Sequence, residues 1–112
     1  MAFTTSTAIL AQEASTQFQG SFTKLWNVTA TINPASIAAA AEDTGTITVT
    51  GVAVGDMIVA YAPGVDLTFS ALVNVWVSAA NTVTISISNV HASSALDLAS
   101  STCKFVIGRP SF

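Results

Sequence analysis

Asn81-Thr82-Val83-Thr84-Ile85-Ser86-Ile87-Ser88 decides how this chain folds. Val83, Ile85 and Ile87 are β-branched and apolar, and each is flanked by hydroxyl residues, which is the period of two expected of a half-buried antiparallel strand. Thr46-Ile47-Thr48-Val49-Thr50 repeats the pattern. Working outward, Trp26, Val28, Ala30 and Ile32 alternate until Asn33-Pro34 ends the run, because proline removes a donor and restricts the residue before it. Residues Ala35 to Asp43 read as a crossing or a single helical turn, stopped by Asp43-Thr44-Gly45. Asp56 to Ala62 is apolar throughout, so that strand is expected to lie centrally or to be covered on both faces. Phe69 to Val77 sends Val73, Val75 and Val77 one way and Asn74 and Trp76 the other, and Ser78-Ala79-Ala80-Asn81 turns it into the opening strand. Thr102 to Ile107 places Cys103, Phe105 and Ile107 in one phase.

Six short strands with turn signals between them predict an all-β fold, a small β-sandwich or jelly-roll-like barrel of about six antiparallel strands. The inward set expected from phase is Val28, Ile32, Ile47, Val49, Ile58, Val73, Val75, Val83, Ile85, Ile87, Phe105 and Ile107, with Trp26 and Cys103 in the same phases. Residues 1–24 break the pattern. Phe3, Ile9, Leu10, Phe18 and Phe22 stand as isolated anchors among Thr, Ser and Gln, which predicts an N-terminal arm over 1–24 that docks onto another protein, followed by the sandwich domain over 25–112. A short helix from Ala8 to Phe18 fits this segment, and an extended arm fits it equally well.

Composition excludes several functions. Only 8% of the 112 residues are charged, against about 25% in ordinary globular proteins, so much of the surface must be Thr, Ser, Ala and Asn. Three cations, Lys24, Lys104 and Arg109, in a chain of net charge −3 make no patch for phosphates, so no nucleic-acid partner is expected. No run of about 18 apolar residues is uninterrupted, so no membrane partner is expected either. The first residues lack the basic start and apolar stretch of a secretory leader, and the single Cys103 reads as a buried small hydrophobe, which suits synthesis in a reducing cytoplasm.

Catalytic groups are sparse. His91 is the sole imidazole and no nucleophile-elbow sequence surrounds any serine, so the expectation is no enzyme. One His, one Cys and the scattered Asp43, Asp56, Asp66 and Asp97 give no ligand pair at helix or strand spacing, so no metal or other cofactor is expected. Each Asp sits where a carboxylate caps a turn. Among the aromatics, Trp26 is in phase with core residues, whereas Trp76 is out of phase with its valines and is the surface candidate for binding a protein.

Ile32-Asn33-Pro34-Ala35-Ser36-Ile37-Ala38-Ala39, Thr46-Ile47-Thr48-Val49-Thr50-Gly51-Val52-Ala53-Val54-Gly55-Asp56, Phe69-Ser70-Ala71, Val77-Ser78-Ala79-Ala80-Asn81-Thr82-Val83-Thr84-Ile85 and Asn89-Val90, taken in order, resemble small β-sandwich modules of tailed-bacteriophage virion proteins. The resemblance spans about Trp26 to Ile107 and carries no catalytic residues. It implies a structural virion protein, and a small chain with an arm suits a capsid cement or decoration protein on the capsid surface. The implied partners are the major capsid protein and sister copies in a homo-oligomer, with a trimer favoured. A tail, baseplate or fibre component, or a receptor- or carbohydrate-binding module, is the alternative.

Overall fold

The computed structural model describes residues 2–12, 21–68 and 70–112. The described residues form seven strands: β1 (Ala2–Gln12), β2 (Phe22–Asn33), β3 (Glu42–Thr48), β4 (Met57–Ala62), β5 (Ala71–Ala79), β6 (Thr82–Asn89) and β7 (Ser101–Pro110). All pairings are antiparallel, in a four-stranded sheet of order β1-β2-β7-β4 and a three-stranded sheet of order β3-β6-β5. The two sheets face each other as a small β-sandwich, and the chain is all-β as its sequence predicts.

Val28, Ile32, Ile47, Val49, Val83, Ile85, Ile87, Phe105 and Ile107 are buried together with Trp26 and Cys103, while Ile58, Val73 and Val75 are half-buried against the same core. Register accounts for this, since Trp26, Val28 and Ala30 oppose Ile107, Phe105 and Cys103 across β2 and β7. Two connections close one end of the core. Ile37 and Leu96 exchange backbone hydrogen bonds of 2.7 and 2.8 Å, and the buried Asn89 amide donates to the carbonyls of Ile37, Ala38 and Ser94. At the other end Asn81, at φ 59°, accepts from Gly51 through its side chain while its N–H donates to Val52. Asn tolerates this left-handed turn position better than most residues.

Three expectations change. The apolar strand β4 lies at the edge of its sheet, with Met57, Ala60 and Ala62 exposed, because its small or half-buried side chains need cover on only one face. Asp43-Thr44-Gly45 does not stop a helical turn but lies within β3, which begins at Glu42. Gly45 is needed there because the Phe3 ring of β1 fills the space that a Cβ would occupy.

The third change concerns the arm. Over Ala2–Gln12 the chain is extended and pairs with β2 from Ala2↔Asn33 to Gln12↔Leu25, so backbone hydrogen bonds supply what the isolated Phe3, Ile9 and Leu10 side chains lack. The expected boundary at 24/25 falls inside β2. The Phe22 ring packs over Gly108 beside Val59, on the sheet face away from the core, and is buried there.

Candidate protein-docking face

Strand β6 lies between β3 and β5, and its hydroxyl phase forms the middle of the three-stranded sheet's outer face. Cross-strand register builds this face in rows. Leu72, Ser88 and Glu42 share one row, Asn74, Ser86 and Thr44 the next, then Trp76, Thr84 and Thr46. Thr84 Oγ1 donates to Ser78 Oγ at 2.6 Å, and Ser86 Oγ donates to Glu42 Oε2 at 3.1 Å. These bonds satisfy the central hydroxyls of Thr84 and Ser86, which are buried although they belong to the outer face. Among the described residues, Glu42 is the one charged side chain on this face. Along the β5 margin, Leu72 is 61% exposed and Trp76 40% exposed.

Such a face can exclude water at its apolar β5 margin and exchange neutral hydrogen bonds through the exposed Thr44 and Thr46 of β3. Desolvating hydroxyls costs far less than desolvating charges, so a nearly uncharged face suits packing against protein.

Of the residues expected to bind a partner, Trp76 alone stands exposed with a described side chain. Phe3 is half-buried against the core and Phe22 is buried over Gly108. Ile9 and Leu10 lie in β1 opposite Asn27 and Trp26, and Phe18 falls outside the described residues. The sequence reading missed Leu72, although its signal was present: it is in phase with Asn74 and Trp76 and out of phase with Val73.

The reactive groups are committed elsewhere. His91 Nδ1 accepts from the backbone of Ser93 and Ser94 at 3.1 and 3.0 Å, fixing the loop after β6. Burial pushes the Cys103 thiol up, which keeps it protonated and unreactive. Tyr61 is pushed up to about 12, chiefly by burial and then by Cys103. Asp56 caps the Ala53 N–H and takes both Nε and Nη2 of Arg109 at 3.0 and 2.9 Å, and that guanidinium also lies 5.3 Å from the centre of the Trp26 ring. Donating to the Asp56 carboxylate holds the Arg109 guanidinium further above its already high range. Asp66 caps Thr68.

Among the described residues no three of His, Cys, Asp and Glu come together. A cavity of about 10 Å³ beside Ile32, Tyr61, Val73, Ile87 and Leu98 has room for about one water. Trp26 is buried, Tyr61 half-buried and Trp76 exposed on the opposite sheet, so the three flat rings share no surface. No family model, curated protein or solved structure matches this chain.

Proposed function

We propose that this chain is a structural virion protein, a cement or decoration protein that binds and stabilises a bacteriophage capsid shell without catalysis. The observation that carries the proposal is the outer face of β3, β6 and β5, a hydroxyl field bordered by exposed Trp76 and Leu72 and carrying a single carboxylate. The ordered likeness of Trp26 to Ile107 to phage virion modules supplies the setting, and the major capsid protein is the proposed partner. Binding rests on the sheet face: Trp76 anchors, Leu72 extends the apolar margin, and the exposed hydroxyls of Thr44 and Thr46 pair with neutral groups of the shell. Sister copies enlarge the contact, and several linked contacts hold more tightly than one.

The test is to locate the labelled protein on particles by electron microscopy and to titrate it onto shells. Density spread over the icosahedral shell, and at least about tenfold weaker binding by Trp76→Ala in a folded protein, are the expected results. Density confined to the tail assigns the chain to the tail, and saturable sugar binding at Trp76 assigns it to carbohydrate recognition.

A further inference from the structure

Each sandwich leaves four strand edges, and three of these carry devices that discourage pairing. β1 is interrupted by register shifts at Thr5/Thr7 and Leu10/Gln12, and the short β4 has one at Ile58/Ala60. β3 begins with Glu42 and Asp43, and Asp43 turns inward with a buried Oδ2 that has no hydrogen-bond partner among the described residues. Inward charges on an edge strand are a recognised defence against edge-to-edge association.

β5 has none of these over most of its length. Residues Ala71 to Val77 pair with β6 without a shift, contain no charge and no proline, and are hydrogen-bonded to no further strand among the described residues. The Val90 N–H donates to Ser70 O at 2.8 Å, which sets the alternation of the ladder. Leu72, Asn74 and Trp76 therefore turn their backbone groups toward β6, and Ala71, Val73, Val75 and Val77 turn theirs to the open edge.

We infer that two copies of this chain pair through β5 in an antiparallel two-fold centred on Asn74. In that register Val73 and Val75 exchange backbone hydrogen bonds with Val75 and Val73 of the second copy. Leu72 and Trp76, the two exposed apolar residues of the outer face, then fall directly opposite Trp76 and Leu72, at non-hydrogen-bonded positions where side chains come closest. Centring the pair on Val75 instead puts Trp76 opposite Asn74 and Leu72 opposite Ser78, so both apolar contacts are lost. Asn74 is also the midpoint of the uninterrupted stretch.

Seven residues span roughly 24 Å. Against a molecule 22 to 23 Å across its short axes, the side contact covers at most roughly 500 Å² per copy, or about 1,000 Å² in all, which is the size of a weak or transient interface. About eight new backbone hydrogen bonds match that area. The two three-stranded sheets become one of six strands, with the Leu72–Trp76 margins joined at its centre. This inference concerns the chain alone and stands whether or not the partner is a shell.

Analytical ultracentrifugation of the intact chain should show a dimer at about 100 µM, the concentration that populates a weak contact of this size. Asn74→Lys sets two cations opposite each other on an exposed face and should raise the dimer dissociation constant at least about tenfold while the fold stays intact by circular dichroism. Asn74→Cys should form an intermolecular disulfide under mild oxidation, because a non-hydrogen-bonded antiparallel pair sits about 4.5 Å apart at Cα, within disulfide reach. Ser78→Cys, which faces Ser70 of the second copy in this register, should not cross-link, and buried Cys103 is common to both variants. A parent chain that stays monomeric, an oligomer indifferent to Asn74→Lys, or equal cross-linking at residues 74 and 78 would each overturn the inference.

Discussion

Asn89 stands in phase with Ile85 and Ile87, where alternation demands another apolar side chain, and it is only 2% exposed. It satisfies three carbonyls through its amide and the His91 N–H through its Oδ1 at 3.0 Å, tying together the connections on either side of the core. Asn89→Ala should cost about 3 kcal/mol or more, since it strands several buried backbone groups at once. A urea denaturation midpoint that barely moves would contradict this role. Tyr61 gives a test in pH. Its folded value of about 12 exceeds its ordinary 10.0, so between those values the unfolded chain loses the proton that the folded chain keeps. Stability should therefore fall as pH rises from about 10 to about 12, and Tyr61→Phe should remove that part of the slope. Tyr61 is the sole tyrosine, so phenolate absorbance reads its titration directly.

At the scale of elements, the period-two pattern made five of the six strands from β2 to β7 legible together with their inward phase, and a continuous apolar run marked the sixth, β4. Boundaries were harder. β3 was expected to begin at Thr46 because Asp43-Thr44-Gly45 reads as a turn, yet the glycine answers to Phe3, more than forty residues away, and only the assembled sheets show that. β1 was hidden for a related reason: its stability comes from backbone pairing along β2, which leaves no mark in side-chain periodicity. The position of β4 was misread because an all-apolar strand looks alike at the centre and at the edge of a sheet. Gly45→Ala tests the cross-sheet packing. The new methyl must displace the Phe3 ring and should cost about 1 to 3 kcal/mol. It should also raise hydrogen exchange across β1 while leaving β6 and β7 protected. Uniform exchange in both proteins would show that Phe3 does not hold β1 in place.

For the whole molecule, the scarcity of charge that argues against several functions also limits what else the sequence discloses. Trp76 was recognisable as a surface residue from phase alone, but its neighbours on the face come from two other strands, and their rows follow from register that one strand cannot reveal. The chain has nine charged side chains, and its one salt bridge among the described residues, Arg109–Asp56, is internal. Association through the β5 edge or the hydroxyl face therefore engages almost no charge, with Glu42 already accepting from Ser86. Screening over a Debye length of roughly 3 to 10 Å has little to act on at such a contact. We expect dimer and shell affinities to change less than about twofold between about 0.1 and 0.5 M sodium chloride. Sulfate, which is excluded from protein surface and favours burial, should strengthen both. Titrations at matched protein concentration in the two salts separate these effects. A tenfold loss of affinity in sodium chloride would mean that Lys24, Lys104 or one of the exposed carboxylates carries the contact, and would move the docking surface away from β5 and Trp76.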